Sequence, residues 1–188
     1  MAAIVGAIVL AIASAWTVSP ATASDVELWQ ALREGRAIAV MRHALAPGTG
    51  DPADFTLEDC STQRNLSETG RRQARAIGER LRANGIEIAT VLTSQWCRCR
   101  ETAELLALGE VQDLPALNSF FSARQREPEQ TRAVKAWITQ YDAVIPVVFV
   151  THQVNVSALT GRFTSSGEMI VIDRRIEDGV KVLGSIEN

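Results

Sequence analysis

The sequence has 188 residues, 46% hydrophobic and 22% charged, with only six prolines. That is the size and composition of one globular domain with a packed core, and it excludes a disordered chain or a pair of full domains. The formal net charge is -3, so no broad positive field draws nucleic acid or an anionic membrane surface, and any anion site has to be built locally.

The chain opens on an apolar stretch from Ala2 to Val18, followed by the small residues and turn of Ser19-Pro20-Ala21-Thr22-Ala23. This is the layout of a secretory signal peptide over residues 1–23, cleaved after Ala23, which leaves one domain over residues 24–188 in the periplasm or secreted. The leader has no Lys or Arg ahead of its apolar run, and the run is short for a bilayer span, so an uncleaved anchor is the alternative and the only expected tie to a membrane. Export favours a disulfide among Cys60, Cys97 and Cys99. The spacing pairs Cys60 with Cys97 or Cys99, because a Cys-x-Cys pair bridges poorly.

Val26, Leu28, Trp29 and Leu32 line one side of a first helix that Gly35 closes. Ala37 to Met41 is a continuous apolar run, the pattern of a strand buried on both faces of a parallel sheet, and it delivers Arg42 and His43 at its carboxyl end. From Ala44 to Asn65 the glycines, prolines and polar residues predict a long irregular loop, a length that is usually functional in a compact domain. Ser67 then offers an N-cap to a helix whose apolar face runs Leu66, Gly70, Ala74, Ile77 and Leu81, ended by Asn84-Gly85. The opposite face carries Arg71, Arg72, Arg75, Arg80 and Arg82 and reads as a solvated surface.

Ile86 to Thr93 is a second strand, Ser94 starts a turn, and a helix follows with Ala103, Leu105 and Leu106 inward and Gly109 as its stop. A short strand at Val111 to Leu114, a helix over Glu129 to Tyr141, and a strand from Val144 to Val150 ending in Thr151-His152 come next. A helix at Val154 to Leu159 and two strands, Met169 to Ile172 and Val180 to Leu183, complete an α/β chain: a three-layer α/β/α sandwich around a mostly parallel sheet.

The chain has only two histidines, and each follows an apolar strand at the edge where open α/β sheets place their ligands. A single histidine is more often structural, but here both stand at strand ends and one has an arginine beside it. Phosphoryl transfer needs a nucleophile aimed at phosphorus and fixed cations around its oxygens, and neutral imidazole with Arg forks suits both demands. Arg42 and His43, Arg98 on the turn after a neighbouring strand, and His152 make such a set. A metal site is the rival, but no carboxylate and histidine cluster stands at ligand spacing, so no metal and no cofactor are expected.

Met41-Arg42-His43-Ala44, Leu66 to Ala74, Ser94 through Arg98 to Thr102-Ala103, and Thr151-His152 resemble, in order and spacing, the four signatures of the histidine phosphatase superfamily, also called phosphoglycerate mutase-like. The resemblance covers most of the chain after the leader. It implies that His43 is the nucleophile, that Arg42 and Arg98 bind phosphate, and that His152 stabilises the transferring group as a hydrogen-bond donor. Within the family the chain looks most like periplasmic members related to lipopolysaccharide core heptose phosphate phosphatases, which agrees with the leader. Two positions depart from the family: Ala44 and Thr151 stand where it has Gly, so an altered phosphate pocket is expected, in which Thr151 adds a hydroxyl.

The general acid for the leaving oxygen is expected on a variable loop. Glu127 and Glu129 are the candidates there, with Asp51 and Asp54 in the loop after His43. Arg64 and Asn65 are expected to face the pocket and Arg100 to point away from it; Phe120, Phe121 and Trp96 are candidates to line it, although aromatics are more often core. The function that follows is a metal-independent phosphomonoesterase, of the acid phosphatase type, acting on a small-molecule or glycan-linked phosphate ester. A non-catalytic phosphate-binding domain of the same fold is the alternative.

Overall fold

The computed structural model describes residues 23–177 and 179–187; apart from Ala23, the expected leader lies outside the described residues. Helix α1 spans Asp25–Arg33, capped by the Ser24 hydroxyl and the Glu27 carboxylate in a reciprocal box. Its buried side is Leu28, Trp29, Ala31 and Leu32; Val26, expected inward, is exposed in the first turn. Strand β1 (Ala37–Arg42) leads into the long loop, which is irregular apart from an isolated bridge between Thr56 and Asp59 and a 3-10 turn at Cys60–Thr62. Helix α2 (Glu68–Ala83) begins where expected, with the Ser67 side chain accepting from the Gly70 N–H.

The remaining α-helices and strands are β2 (Thr90–Thr93), α3 (Cys97–Leu106), β3 (Val111–Asp113), α4 (Glu127–Gln140), β4 (Val147–Thr151), α5 (Gln153–Thr160), β5 (Met169–Asp173) and β6 (Val182–Ile186), with 3-10 turns at Pro115–Leu117 and Arg124–Arg126. Several bounds differ from the sequence reading. β2 and β4 begin later than the apolar runs that signal them; Ile88 and Val144, ahead of the strands, are exposed, while Ile86 is buried. α3 stops at Leu106, not at Gly109: Ala107 takes the left-handed cap with φ 53°.

The six strands form one sheet in the order β3-β2-β4-β1-β5-β6. β3, β2, β4 and β1 pair in parallel, and β5 and β6 add an antiparallel edge. Helices cover both faces, giving the expected α/β/α layering around a mostly parallel sheet. Alternation along β1 sorts the core: Ala39 and Met41 pack with Trp29, Ile77, Leu81 and Leu106 from α1, α2 and α3. Ile38 and Val40 pack on the other face with Val134 and Ile138 of α4 and Val156 and Leu159 of α5. Each of the Val, Leu, Ile and Met side chains contributes about 1.5–3 kcal/mol when fully buried, which is why the central strands are the fixed frame of the molecule.

The register places the site. Arg42 pairs with Thr151 across β1 and β4, and Thr93 pairs with Val150 across β2 and β4. Three adjacent parallel strands therefore end level, and the residues just past them are His43, Ser94 and His152.

Candidate active site

The backbone N–H of His43 continues the ladder by donating to the Thr151 carbonyl at 2.9 Å. Its ring is 2% exposed, with Nδ1 2.7 Å from the Ala44 carbonyl oxygen. A carbonyl oxygen only accepts, so Nδ1 carries the proton and the Nε2 lone pair is left unengaged. Burial, and then the charge of Arg98, lower the His43 pKa to about 3, with Arg64 and Arg42 adding to the effect against the opposing Ala44 hydrogen bond. The imidazole is thus neutral through ordinary pH, as a nucleophile requires.

His152 stands opposite, its ring centroid 5.6 Å from that of His43. Its Nδ1 is 3.3 Å from Arg98 Nη2 and its Nε2 is 2.8 Å from Ser94 Oγ. A guanidinium only donates, so Nδ1 bears the lone pair and Nε2–H donates to Ser94, whose hydroxyl passes on to Asn118 Oδ1 at 3.2 Å. In this arrangement Nδ1 accepts and Nε2 is the ring's donor. Burial first, then the charges of Arg98 and the neighbouring His43, hold its pKa well below the usual histidine value. Beneath it lies Cys99, whose thiol burial pushes up to about 12.

Three arginines surround the pair. Arg42 ends β1 and donates from Nη1 to the Thr164 carbonyl at 3.0 Å, while its Nε–H is buried without a partner. Arg98, 2% exposed in the first turn of α3, also has a buried Nε–H without a partner. Arg64, from the long loop, is fixed by donating Nε to the Gly50 carbonyl at 2.7 Å and Nη1 to that of Ala46. Burial and then the charge of Arg98 lower the pKa of both Arg42 and Arg64, the mark of like charges held together.

One carboxylate enters this group. Asp51 receives Arg98 Nη1 at 2.6 Å and Nη2 at 3.1 Å, the Arg64 N–H at 3.2 Å and the Trp96 indole N–H at 3.1 Å. Burial pushes the Asp51 carboxyl up, but the hydrogen bonds and charge of Arg98, with the Arg64 and Trp96 donors, outweigh it and hold the group below the usual carboxylate range. Asp51 is therefore an ionised clamp and a poor proton donor.

Arg42, His43, Arg64, Arg98 and His152 face a cavity of about 770 Å³. Its rim carries Phe121, Phe163, Arg124, Arg126 and Glu127, with Arg124 stacked on the Phe121 ring at 5.3 Å. Of the residues nominated from sequence, Asp51, Trp96 and Phe121 also line the cavity. Others do not. Glu129 is exposed on α4 away from it, and Asp54 is exposed on the loop. Asn65 spends its amide on the Cys60 and Gln63 carbonyls, and the Thr151 hydroxyl donates to the Leu117 carbonyl at 2.7 Å, so neither faces the phosphate position expected for it. Ala44 is buried with its N–H donated to Thr102 Oγ1, and Phe120 is core. Arg100 bridges Asp113 on β3, away from the site.

A disulfide joins Cys60 to Cys97, resolving the two pairings the sequence left open, and Cys99 is a buried free thiol. The bridge ties the end of the long loop to the first turn of α3. Among the described residues, no group of three His, Cys, Asp or Glu is placed to hold a metal ion, and no helix is long and apolar enough to cross a membrane.

Residues 38–121 match the model of the histidine phosphatase superfamily, branch 1. The fold is similar to that of the protein histidine phosphatase SixA complexed with tungstate, at a TM-score of 0.54 and 18% identity over 80% of this chain and 96% of that one. It is similar to a mycobacterial glucosyl-3-phosphoglycerate phosphatase complexed with VO3, at a TM-score of 0.59 and 15% identity over 81% of this chain and 99% of that one. A phosphoserine phosphatase from Entamoeba histolytica in complex with 3-phosphoglyceric acid gives a TM-score of 0.60 and 11% identity over 81% of this chain and 97% of that one. No curated protein matches the chain. At these identities the likeness is one of fold, the phosphoglycerate mutase-like fold expected from the four signatures. The matching segment carries Arg42, His43, Arg64 and Arg98, and His152 lies beyond it at the end of β4.

Proposed function

We propose that the protein hydrolyses a phosphomonoester outside the cytoplasm, passing the phosphoryl group first to Nε2 of His43 and then to water. One observation carries this reading: two guanidinium Nε–H donors, on Arg42 and Arg98, are buried without partners beside a neutral imidazole whose Nε2 is free to attack. Unpaired charged donors cost several kcal/mol when buried, and a phosphoryl group would satisfy both while presenting phosphorus to His43.

As the Nε2–P bond forms, the P–O bond to the leaving group breaks, and the charge on the three oxygens is held by Arg42, Arg64 and Arg98. A bound dianion favours the imidazolium form of His152, whose Nδ1 then donates to an oxygen. Glu127, the variable-loop carboxyl that lines the cavity, protonates the leaving oxygen. It then takes a proton from the water that attacks phosphorus, the N–P bond breaks, and orthophosphate departs. No step calls on a metal or a cofactor.

The rim suits a leaving group larger than a simple alcohol. Phe121 and Phe163 offer exposed ring faces, and Arg124 and Arg126 have no carboxylate partner among the described residues, so a ring-bearing, additionally anionic group fits there. Sugar and glycan phosphates have that chemistry, in keeping with the resemblance to periplasmic heptose phosphate phosphatases. The apolar leader and the Cys60–Cys97 bridge support an oxidising compartment.

The test is hydrolysis of an aryl phosphate and an alkyl phosphate by the purified protein in the presence of chelator, across acidic and neutral pH. Turnover is expected to persist with chelator and to vanish in His43→Ala. Glu127→Gln is expected to slow the alkyl ester at least tenfold (~10²) and the aryl ester little, since only the alkyl leaving group needs the proton. Turnover undiminished in His43→Ala would sink the mechanism, and phosphate binding without hydrolysis of either ester would favour a binding domain.

A further inference from the structure

Arg98 has three kinds of N–H edge, and the structure uses them unequally. The outer edge, Nη1 and Nη2, grips both oxygens of Asp51. Nη2 also reaches His152 Nδ1, so the edge formed by Nη2 and Nε is the one that borders His152, and its Nε–H is buried without a partner.

Asp51 is itself fully held. Its two oxygens accept from Arg98 Nη1 and Nη2, the Arg64 backbone N–H and the Trp96 indole N–H, a set that is complete with no ligand at all. The loop is shaped for this reach: Gly48 and Gly50 lie at φ 89° and 72°, in the left-handed region that glycine alone enters freely. Arg64 donates to the Gly50 carbonyl and fixes the turn from the other side.

We infer that Asp51 is a positioning residue for the reaction: it locks the outer edge of Arg98 so that the unpaired Nε–H side is held toward the phosphoryl oxygens beside His152. The inference rests on the phosphatase reading above. The competing role for a carboxylate on a phosphate-binding arginine is that of a tethered anion sitting where phosphate goes. A stand-in for phosphate would satisfy the donors a phosphoryl group needs, yet Nε of Arg98 and Nε of Arg42 both remain unpaired with Asp51 in place. The carboxylate also offsets one of three clustered guanidinium charges, so Arg98 keeps one orientation at 2% exposure.

The two roles predict opposite signs. Asp51→Asn and Asp51→Glu, Arg98→Lys and the double variant Asp51→Asn with Arg98→Lys are assayed on the full chain by aryl phosphate hydrolysis and by orthovanadate binding, with melting temperature as the check on folding. Positioning predicts that Asp51→Asn lowers kcat by about ten- to a hundredfold with a smaller change in KM, that Asp51→Glu, whose longer arm displaces the guanidinium, also lowers it, and that vanadate affinity falls about tenfold. In the Arg98→Lys background the Asp51→Asn change is expected to cost less than about threefold, because its effect runs through the lost fork. A lowered KM with tighter vanadate binding, an unchanged kcat, or additive losses in the double variant would each overturn the inference. If the wild-type protein turns over no ester, the phosphatase reading fails, and the vanadate arm still decides the role of Asp51.

Discussion

At the residue scale the site is two neutral histidines inside a ring of arginines, and that has a consequence for stability. A histidine whose folded pKa is depressed contributes stability that is present above its unfolded value near 6.5 and lost as pH falls toward the folded one. For His43, with a folded pKa of about 3, the loss between pH 8 and pH 5 is about 2 kcal/mol, and His152 acts in the same direction. The melting temperature is therefore expected to drop on going from pH 7 to pH 5, and His43→Gln, which cannot titrate, is expected to drop less. Calorimetry at the two pH values checks this, and equal drops would show that His43 is not held neutral. The same low value means that protonation of His43 does not limit turnover in mildly acidic solution. The two histidines and their arginines were legible in the sequence because strand ends announce themselves. Asp51 was legible only as one of several loop carboxylates, since nothing in a run of glycines and prolines states which one turns back onto Arg98. Thr151 and Asn65 misled for a related reason: a residue adjacent in sequence to a site residue points to the other side of a strand or into its own turn.

At the scale of elements, the position of the nucleophile depends on how α2 meets the loop after His43. Gly70 sits in the first turn of α2 with its Cα against the Leu45 carbonyl, and a methyl group there would fall well inside van der Waals contact with that backbone oxygen. The Ser67 N–H and hydroxyl donate to the same carbonyl. Gly70→Ala is expected to destabilise the fold by about 1–3 kcal/mol, as overpacking against immobile backbone does, and to lower kcat/KM by shifting Ala44, whose carbonyl fixes the His43 tautomer. Denaturant midpoints and steady-state rates check both parts; a variant with unaltered midpoint would mean that the helix and loop can separate freely. Helices were readable from periodicity, but their ends were not always. Gly109 looked like the stop of α3, yet the chain turns at Ala107, where leaving the helix early lets Leu108 bury beside the sheet. The strand starts failed similarly, because Val144 and Ile88 are apolar but precede the point at which a neighbouring strand is available to pair.

At the scale of the whole molecule, the sheet supplies the level strand ends and the long loop closes over them, joined to α3 through the Cys60–Cys97 bridge, 37 residues apart in sequence. Constraining a loop of that length is worth about 3–4 kcal/mol in the chain-entropy account. Reduction is expected to lower the denaturant midpoint accordingly and also to lower kcat, because Cys97 adjoins Arg98 and its N–H is held by the Gln63 side chain at 3.0 Å. A Cys60→Ser, Cys97→Ser protein should reproduce both losses without reductant, and full activity in it would show that the loop closes unaided. The α/β/α class and the strand order's parallel half follow from apolar runs that alternate with amphipathic helices; the disulfide partner did not, since Cys97 and Cys99 differ only by which side of one helical turn they occupy. For a protein exported as proposed, the bridge acquires a second meaning. Newly made chains would then pass through a reducing cytosol with that clasp open, and on the reading proposed above they would be less active there than where they are delivered, which would spare the phosphorylated metabolites of the cell that makes them.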